Sequence, residues 1–291
     1  MDFYLTMLTS GIVVGSLYGL LGLGITFVLR VTNVLNLSHG ALAAFSGLTY
    51  AWCLARGMPA VAAFAAAMAL GCALGFAQGL FLRPWLKGGR HVVAVFMTIG
   101  MGLLIEGSAV VAFGKDVMGA RPFLELPDLR FGGAVLTGAQ LLLVAVTLLG
   151  TGAFAFWYFG TASGKIYRGL VDDEYGAAVI GVAIGRLRAV AFAIGGGAAA
   201  MAGIAVTPLL SISYSAGNLM LVNGLTAAIL GGVSNPFGAL AGGLLVGVIQ
   251  ATVTGMISTM LMLPVSLTLL LIVLIVRPEG LLPSRQGQRT I

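Results

Sequence analysis

Nine apolar runs follow one another through almost the whole chain, at Leu5–Leu29, Leu35–Leu54, Pro59–Leu82, Val92–Phe113, Ala134–Gly160, Ala189–Leu210, Leu219–Val233, Phe237–Thr254 and Met256–Val276. A helix needs ~20 apolar residues to cross the hydrocarbon of a bilayer, and most of these runs have that length. Their apolar residues are continuous rather than alternating, so helices rather than barrel strands would satisfy the backbone at membrane depth. With 59% hydrophobic and only 8% charged residues, against ~25% charged in soluble domains, a water-soluble globule is excluded. The expectation is an all-α, polytopic membrane helix bundle of eight or nine hydrophobic segments, folded as one transmembrane domain over residues 1–291. The seventh run is too short to cross unaided and the second opens on polar residues, so both read as broken or half-length helices. No Lys or Arg precedes Arg30, so the first run lacks the basic start of a signal peptide and reads as a retained span.

The net charge of +6 sits at the ends of the apolar runs, a distribution that marks cytoplasmic loops rather than nucleic-acid binding. Arg83, Lys87 and Arg90, the tail with Arg277, Arg285 and Arg289, and the stretch with Lys165, Arg168, Arg186 and Arg188 are expected on the cytoplasmic side. The loop from Lys115 to Arg130 mixes its bases with Asp116, Glu125 and Asp128, and span parity puts it outside. Nine crossings place the N-terminus outside and the C-terminus inside. Cys53 and Cys72 fall within apolar runs and read as packing residues. His39 and His91 are too few and too scattered for a metal site. No phosphate loop of the Gly-x-x-x-x-Gly-Lys-Ser/Thr kind occurs, so the chain is not expected to hydrolyse ATP by that route. No carboxylate pair suits catalysis, and no TVGYG-like filter supports a potassium channel.

Gly11, Gly15 and Gly19 share a helix face, as do Gly71, Gly75 and Gly79; Gly238 with Gly242 and Gly243 with Gly247 repeat the spacing. Small residues on one face let helix backbones approach closely. Packing within one subunit is the expected use, and a subunit interface is the alternative. Asn33, Asn36, Ser38, His39 and Gly40 form a polar cluster between two apolar runs. It reads either as an interrupted helix lining a permeation route or as a turn with Asn36 or Ser38 capping the next helix; on composition the turn is favoured. A second break, Gly231–Gly243, holds Asn235-Pro236, a turn signal with Pro expected at the first helical position. The tetrapeptide GALA follows both breaks, at Gly40–Ala43 and Gly238–Ala241, a faint sign of a two-fold repeat. Glu106 is the acidic residue well inside a span. It is either functional or a carboxyl held by Thr98 or Ser108.

The polar island from Lys165 to Arg188 carries four of the fifteen bases and three of the nine acids. It reads as a cytoplasmic loop, 161–188, holding an amphipathic helix from about Val171 to Ile180 and ended by Gly181. Asp172, Asp173 and Glu174 would occupy its first turn, where negative charge suits the helix dipole.

The order Arg168, Asp172–Asp173, Ala177–Ala178, Gly181–Val182 and then Arg186 resembles the coupling segment of ATP-binding-cassette importer permeases of the branched-chain amino acid (LivH-like) type. Residues Gly15–Leu42, with their Asn-x-x-His-Gly ending, Ala198–Ile204, Gly231–Gly243 and Val276–Leu282 are similar to further motifs of that family, so the resemblance covers nearly the whole chain. Ser234 stands where Gly is common in the family, and Tyr175 and Gly176 replace commoner charged and Ala residues. The resemblance implies a non-catalytic inner-membrane subunit of a bacterial importer for branched-chain or other hydrophobic amino acids. It also implies a homologous second permease, two ATPases on the cytoplasmic face that hold ATP and Mg, and a binding protein that delivers substrate; this chain itself would need no cofactor. Arg168, Asp172, Asp173, Ala177, Ala178, Gly181 and Arg186 would then couple to the ATPase. Asn36, Ser38, His39, Glu106, Ser213 and Asn218 are candidates for the translocation path. Permeases for urea or short amides share the framework, and a proton-coupled carrier using Glu106 is the rival from another class.

Overall fold

The computed structural model describes residues 2–87, 89–131, 134–277 and 279–282; Arg285 and Arg289 of the tail lie outside them. The apolar runs become helices α1 (Asp2–Thr32), α2 (His39–Ala55), α3 (Ala60–Lys87), α4 (His91–Phe113), α5 (Gly138–Gly160), α8 (Ile184–Leu210), α9 (Ala216–Gly231), α10 (Gly238–Met256) and α11 (Met262–Val276). Two shorter helices, α6 (Ala162–Asp172) and α7 (Glu174–Val179), lie between α5 and α8. Among the described residues seven helices are long and apolar enough to cross a membrane. The chain is an all-α polytopic bundle, as its apolar runs indicate. At 17 and 16 residues, α2 and α9 would extend only about 25 Å at ~1.5 Å per residue, short of the ~30 Å hydrocarbon. They are the second and seventh runs.

Helix ends shift from the sequence reading by up to six residues, as at Lys87, Ile184 and Met262, and two differences change an element. The fifth run opens not in helix but in a hairpin, β1 (Leu129–Phe131) against β2 (Ala134–Leu136), and α5 starts four residues later behind a Thr137 capping box with Gln140. Pro236 is not the first residue of α10, which begins at Gly238; Asn235 Oδ1 instead accepts from the Phe237 amide at 3.1 Å, closing a turn ahead of the helix.

Glycine spacing decides which helices meet. A Cβ at Gly11, Gly15 or Gly19 would run into Val248, Gly243–Leu244 and Leu240 of α10, and one at Gly71, Gly75 or Gly79 into Ala200, Phe192 and Ala189 of α8. Both stripes are therefore spent inside the subunit, as backbone-to-backbone seams. In each seam the residue numbers run in opposite senses, so α1 is antiparallel to α10 and α3 to α8. The same holds between α1 and α8, where Gly24 meets Ala198 and Gly195 meets Val28.

These pairings define an inverted internal repeat: α1–α4 is matched by α8–α11. The α1–α10 seam mirrors the α8–α3 seam; α2 packs on α8 as α9 packs on α1, and α2 meets α4 as α9 meets α11. Both long first helices end on a left-handed residue, Asn33 (φ 55°) and Ser211 (φ 46°), the two non-glycine residues with positive φ among those described. Ser38 and Ser215 then open the short helices with nearly identical dihedrals. A two-fold repeat is thus present, but Gly40 corresponds to Gly217, not to Gly238, so the two GALA tetrapeptides are not equivalent. The repeat lies in backbone geometry and packing.

The paired first helices are the most enclosed, with 83% of the apolar window of α1 and 72% of that of α8 buried. The ends of the bundle are also sorted. The α3–α4 turn reaches the island through Arg188 and the Leu86 carbonyl. Phe237 packs on Tyr158 and Phe159 at the end of α5, and Leu281 N bonds the Leu230 carbonyl. Residues 118–121 of the loop after α4 lie at the opposite end, where the Tyr50 hydroxyl donates to the Arg121 carbonyl and Met118 bridges Ile212. The described parts of the basic regions grouped by charge therefore share one face.

Candidate functional site

Two places concentrate polar side chains: the island on one face and the pair of helix breaks at the centre. In the island, α6 is capped by Thr161, whose Oγ1 accepts from the Gly164 amide at 3.1 Å. Its buried residues are Gly164, Tyr167 and Leu170, one stripe at three-residue spacing. Tyr167 packs its ring on Phe27 and Trp157 and donates its hydroxyl to the Leu187 carbonyl at 2.9 Å; burial pushes the phenol pKa up. Arg168 lies over Phe159 and Tyr158, 5.3 and 5.7 Å from the ring centroids, so it fastens α6 to the end of α5 by cation–π contact.

The expected single helix from Val171 to Ile180 is two helices. Asp172 closes α6, and Asp173, in extended conformation, caps α7 by accepting from the Gly176 amide at 2.9 Å. The acidic pair is therefore split across a break rather than seated in one first turn. An Asp at an N-cap competes for the backbone better than helix continuation does. Ala177 is buried, Ala178 is exposed, and Gly181 turns the chain at φ 83°. Tyr175, Val179 and Ile180 are 81%, 69% and 80% exposed. They leave an apolar ridge on α7 beside the exposed carboxylates of Asp172 and Asp173. Arg186 is exposed.

At the centre, the chain leaves α1 through Asn33 and reaches α2 by a short non-helical segment that ends in a turn. Thr98 of α4 holds this segment: its hydroxyl accepts from Leu37 N at 3.1 Å and donates to the Leu35 carbonyl at 3.3 Å. Ser38 occupies the N-cap position without a side-chain cap bond; its amide and hydroxyl both donate to Asn36 Oδ1, at 3.1 and 2.6 Å. The break is thus built by Asn36, not by Ser38 capping. Asn36, Ser38 and His39 are fully buried. A Cβ on Gly24 would lie 2.8 Å from the His39 ring, so the imidazole occupies the space this glycine vacates.

The second break faces the first. A Cβ on Gly217 would meet the Gly40 carbonyl at 2.7 Å, and one on Gly40 would collide with the Gly217 carbonyl. The N-termini of α2 and α9 therefore meet. Asn218 is exposed in the first turn of α9, and the hydroxyls of Ser213 and Ser215 lie 3.2 Å apart. Glu106 is half-buried, one helical turn beyond Gly102, which abuts Ser38. Neither expected partner holds its carboxyl: Thr98 shares its one proton between the Val95 carbonyl at 2.7 Å and that of Leu35 at 3.3 Å, and Ser108 donates to the Ile105 carbonyl.

Two further polar groupings were not paired by the sequence reading. Asn223 Oδ1, Gln250 Nε2 and the Ser266 hydroxyl form a buried network joining α9, α10 and α11. Arg188, read from sequence only as one of the cytoplasmic bases, is buried and paired with Glu174. Asn223, Gln250 and Ser266 each lie in a different run, so no spacing within one segment reports their contact; Arg188 and Glu174 share the island, but fourteen residues and two helix ends separate them.

The geometry defines a membrane permease: a polytopic bundle with an inverted repeat, two half-length helices meeting at its core, and a polar segment on one face. The family model for the permease component of the branched-chain amino acid transport system matches residues 7–276, and the chain belongs to that family. It is 30% identical to the high-affinity branched-chain amino acid transport system permease protein BraD of Pseudomonas aeruginosa, over 96% of this chain and 95% of that protein. It is 27% identical to LivH, the protein of the same description from Escherichia coli, over 96% of each. The ribose import permease protein RbsC of Escherichia coli is 29% identical over 78% of this chain and 68% of its own length. Among solved structures, PsaBC from Streptococcus pneumoniae in complex with Fab shares the fold, with a TM-score of 0.52 at 13% identity, covering 96% of this chain and 93% of that one.

Proposed function

We propose that this chain is the membrane-spanning permease subunit of an ATP-driven importer of branched-chain or other hydrophobic amino acids in a bacterial inner membrane. It pairs with a homologous permease, receives substrate from an external binding protein, and docks two ATPases on the face that carries the island. That face is cytoplasmic, and with it the C-terminal end. ATP and Mg are held by the ATPases, and this chain is not itself an enzyme. The amino-acid-permease relatives align over 95–96% of their length, whereas the ribose permease aligns over 68% of its own, which favours the amino acid as cargo.

The observation that carries the reading is the α6–α7 segment. An exposed apolar ridge on a helix that is capped and turned at both ends has the form of a rigid plug for a cleft in a soluble partner. Arg168 and Ala177 hold the plug to the bundle, while Asp172, Asp173, Ala178, Gly181 and the exposed Arg186 shape its surface or its ends. The path runs past the paired breaks: Asn36, Ser38 and His39 from one side, Ser213 and Asn218 from the other, with Glu106 a turn away. Two half-helix N-termini meeting at the centre of an inverted repeat suit the carboxylate of an amino acid, because they offer the positive ends of backbone dipoles without fixed charge.

The test is purification through a tag on this chain. Two ATPase subunits and a second permease should co-purify, and replacing Tyr175, Val179 and Ile180 with Ser should release the ATPases while the permeases stay paired. A chain that purifies alone and still transports would contradict the reading. Substituted cysteines at Ser213 and Asn218, in a background lacking Cys53 and Cys72, should change their labelling with substrate and nucleotide.

A further inference from the structure

We propose that Arg188 is a positioning residue for coupling: its guanidinium ties α7 to the α3–α8 pair, so that the docking segment and the core move as one body. Nη2 donates to Glu174 Oε2 at 2.7 Å, and Nη1 donates to the Leu86 carbonyl at 3.2 Å. This is the one ion pair among the described residues. Its side chains are 5% and 49% exposed, so the Arg end is enclosed while the Glu end reaches the face that carries α7.

Each contact leads to a different rigid element. Glu174 opens α7, and Leu86 sits in the last turn of α3, where free carbonyls and the helix dipole favour a cation. Ala189, the next residue of α8, packs directly on Gly79 of α3, so the arginine lies at the end of the glycine seam. A fork with fixed geometry can hold two partners in register in a way an ammonium cannot. From this point α8 runs inward to Gly195, beside the His39 ring, and to Gly203, whose Cβ would strike Ala43 of α2. One helix therefore connects the docking segment to the break at the centre.

A bond that merely stabilised the loop would show as lost protein. One that transmits motion shows as lost transport per ATP, and spatial continuity alone does not distinguish the two. Arg188→Met suits the question because it removes the charge together with the pair, and apolar replacement of a buried pair is often well tolerated. The inference rests on the proposal that α6–α7 docks an ATPase, so the wild-type complex is assayed first. A wild-type complex without ATPase subunits overturns the docking reading itself.

With a coupled wild type in proteoliposomes, Arg188→Met should hydrolyse ATP while the substrate moved per ATP falls several-fold. Glu174→Gln should fall in the same direction, and Arg188→Lys, which keeps the charge but not the fork, should recover only part of the ratio. If Arg188→Met does not assemble, Glu174→Gln, which leaves α8 intact, carries the same test. An unchanged ratio in the variant assayed, whether or not both rates drop together, overturns the proposal.

Discussion

Asp172 and Asp173 are neighbours in sequence with different work. Asp173 caps α7 through the Gly176 amide, and loss of such a cap costs about 1 kcal/mol. In a six-residue helix that is enough to fray the element. Asp173→Ala should therefore speed hydrogen exchange at the Gly176 amide, whereas Asp172→Ala, exposed at the end of α6, should leave it unchanged. Equal effects would mean that the two act as a pair. Gly181 separates strain from crowding in a similar way. Its φ is 83° and a Cβ there meets nothing within 4 Å, so Ala and Leu should destabilise alike, by roughly 1–2 kcal/mol of left-handed backbone strain. A thermal midpoint markedly lower for Gly181→Leu than for Gly181→Ala would contradict this. Asp173 was legible as a residue to watch but not as a break, because an acidic run reads equally as a first turn or a cap. Glu106 was legible as an anomaly, but the hydroxyls expected to hold it are committed to backbone carbonyls.

Among elements, the apolar runs gave helix positions to within a few residues, since membrane depth leaves the backbone no alternative. The half-length character of α2 and α9 was visible in the shortness of one run and the polar opening of the other. What could not be read was partnership. The stripes of Gly11, Gly15 and Gly19 and of Gly71, Gly75 and Gly79 announced close packing but not against which helix, and the equivalence of Gly40 with Gly217 leaves no shared tetrapeptide behind. The Asn223–Gln250–Ser266 network was equally hidden, because its members lie in three different runs. Its energetic weight should be modest: Ser266→Ala should cost about 0.6–1.7 kcal/mol, the range for hydrogen bonds between membrane helices. Gly243→Leu should cost more, because its Cβ would be driven into the backbone of Gly19 on α1 and overpacking alone costs 1–3 kcal/mol. Unfolding in mixed micelles should rank the two in that order; the reverse order would mean that polar contacts, not glycine seams, hold α10 in place.

On the scale of the whole molecule, the inverted repeat places two short helices end to end at the centre and sends α8 from that centre to the island. On the proposed reading, a push on α7 would travel along α8 to the breaks, as an ATP-driven permease requires and a self-contained carrier does not. The direct measurement is uptake of labelled leucine by proteoliposomes that hold the complex purified through this chain, with ATP enclosed and the binding protein outside. Accumulation that requires ATP and the binding protein, and survives collapse of the proton gradient, is the predicted result. Accumulation driven by a proton gradient without ATP, and abolished by Glu106→Gln, would contradict it.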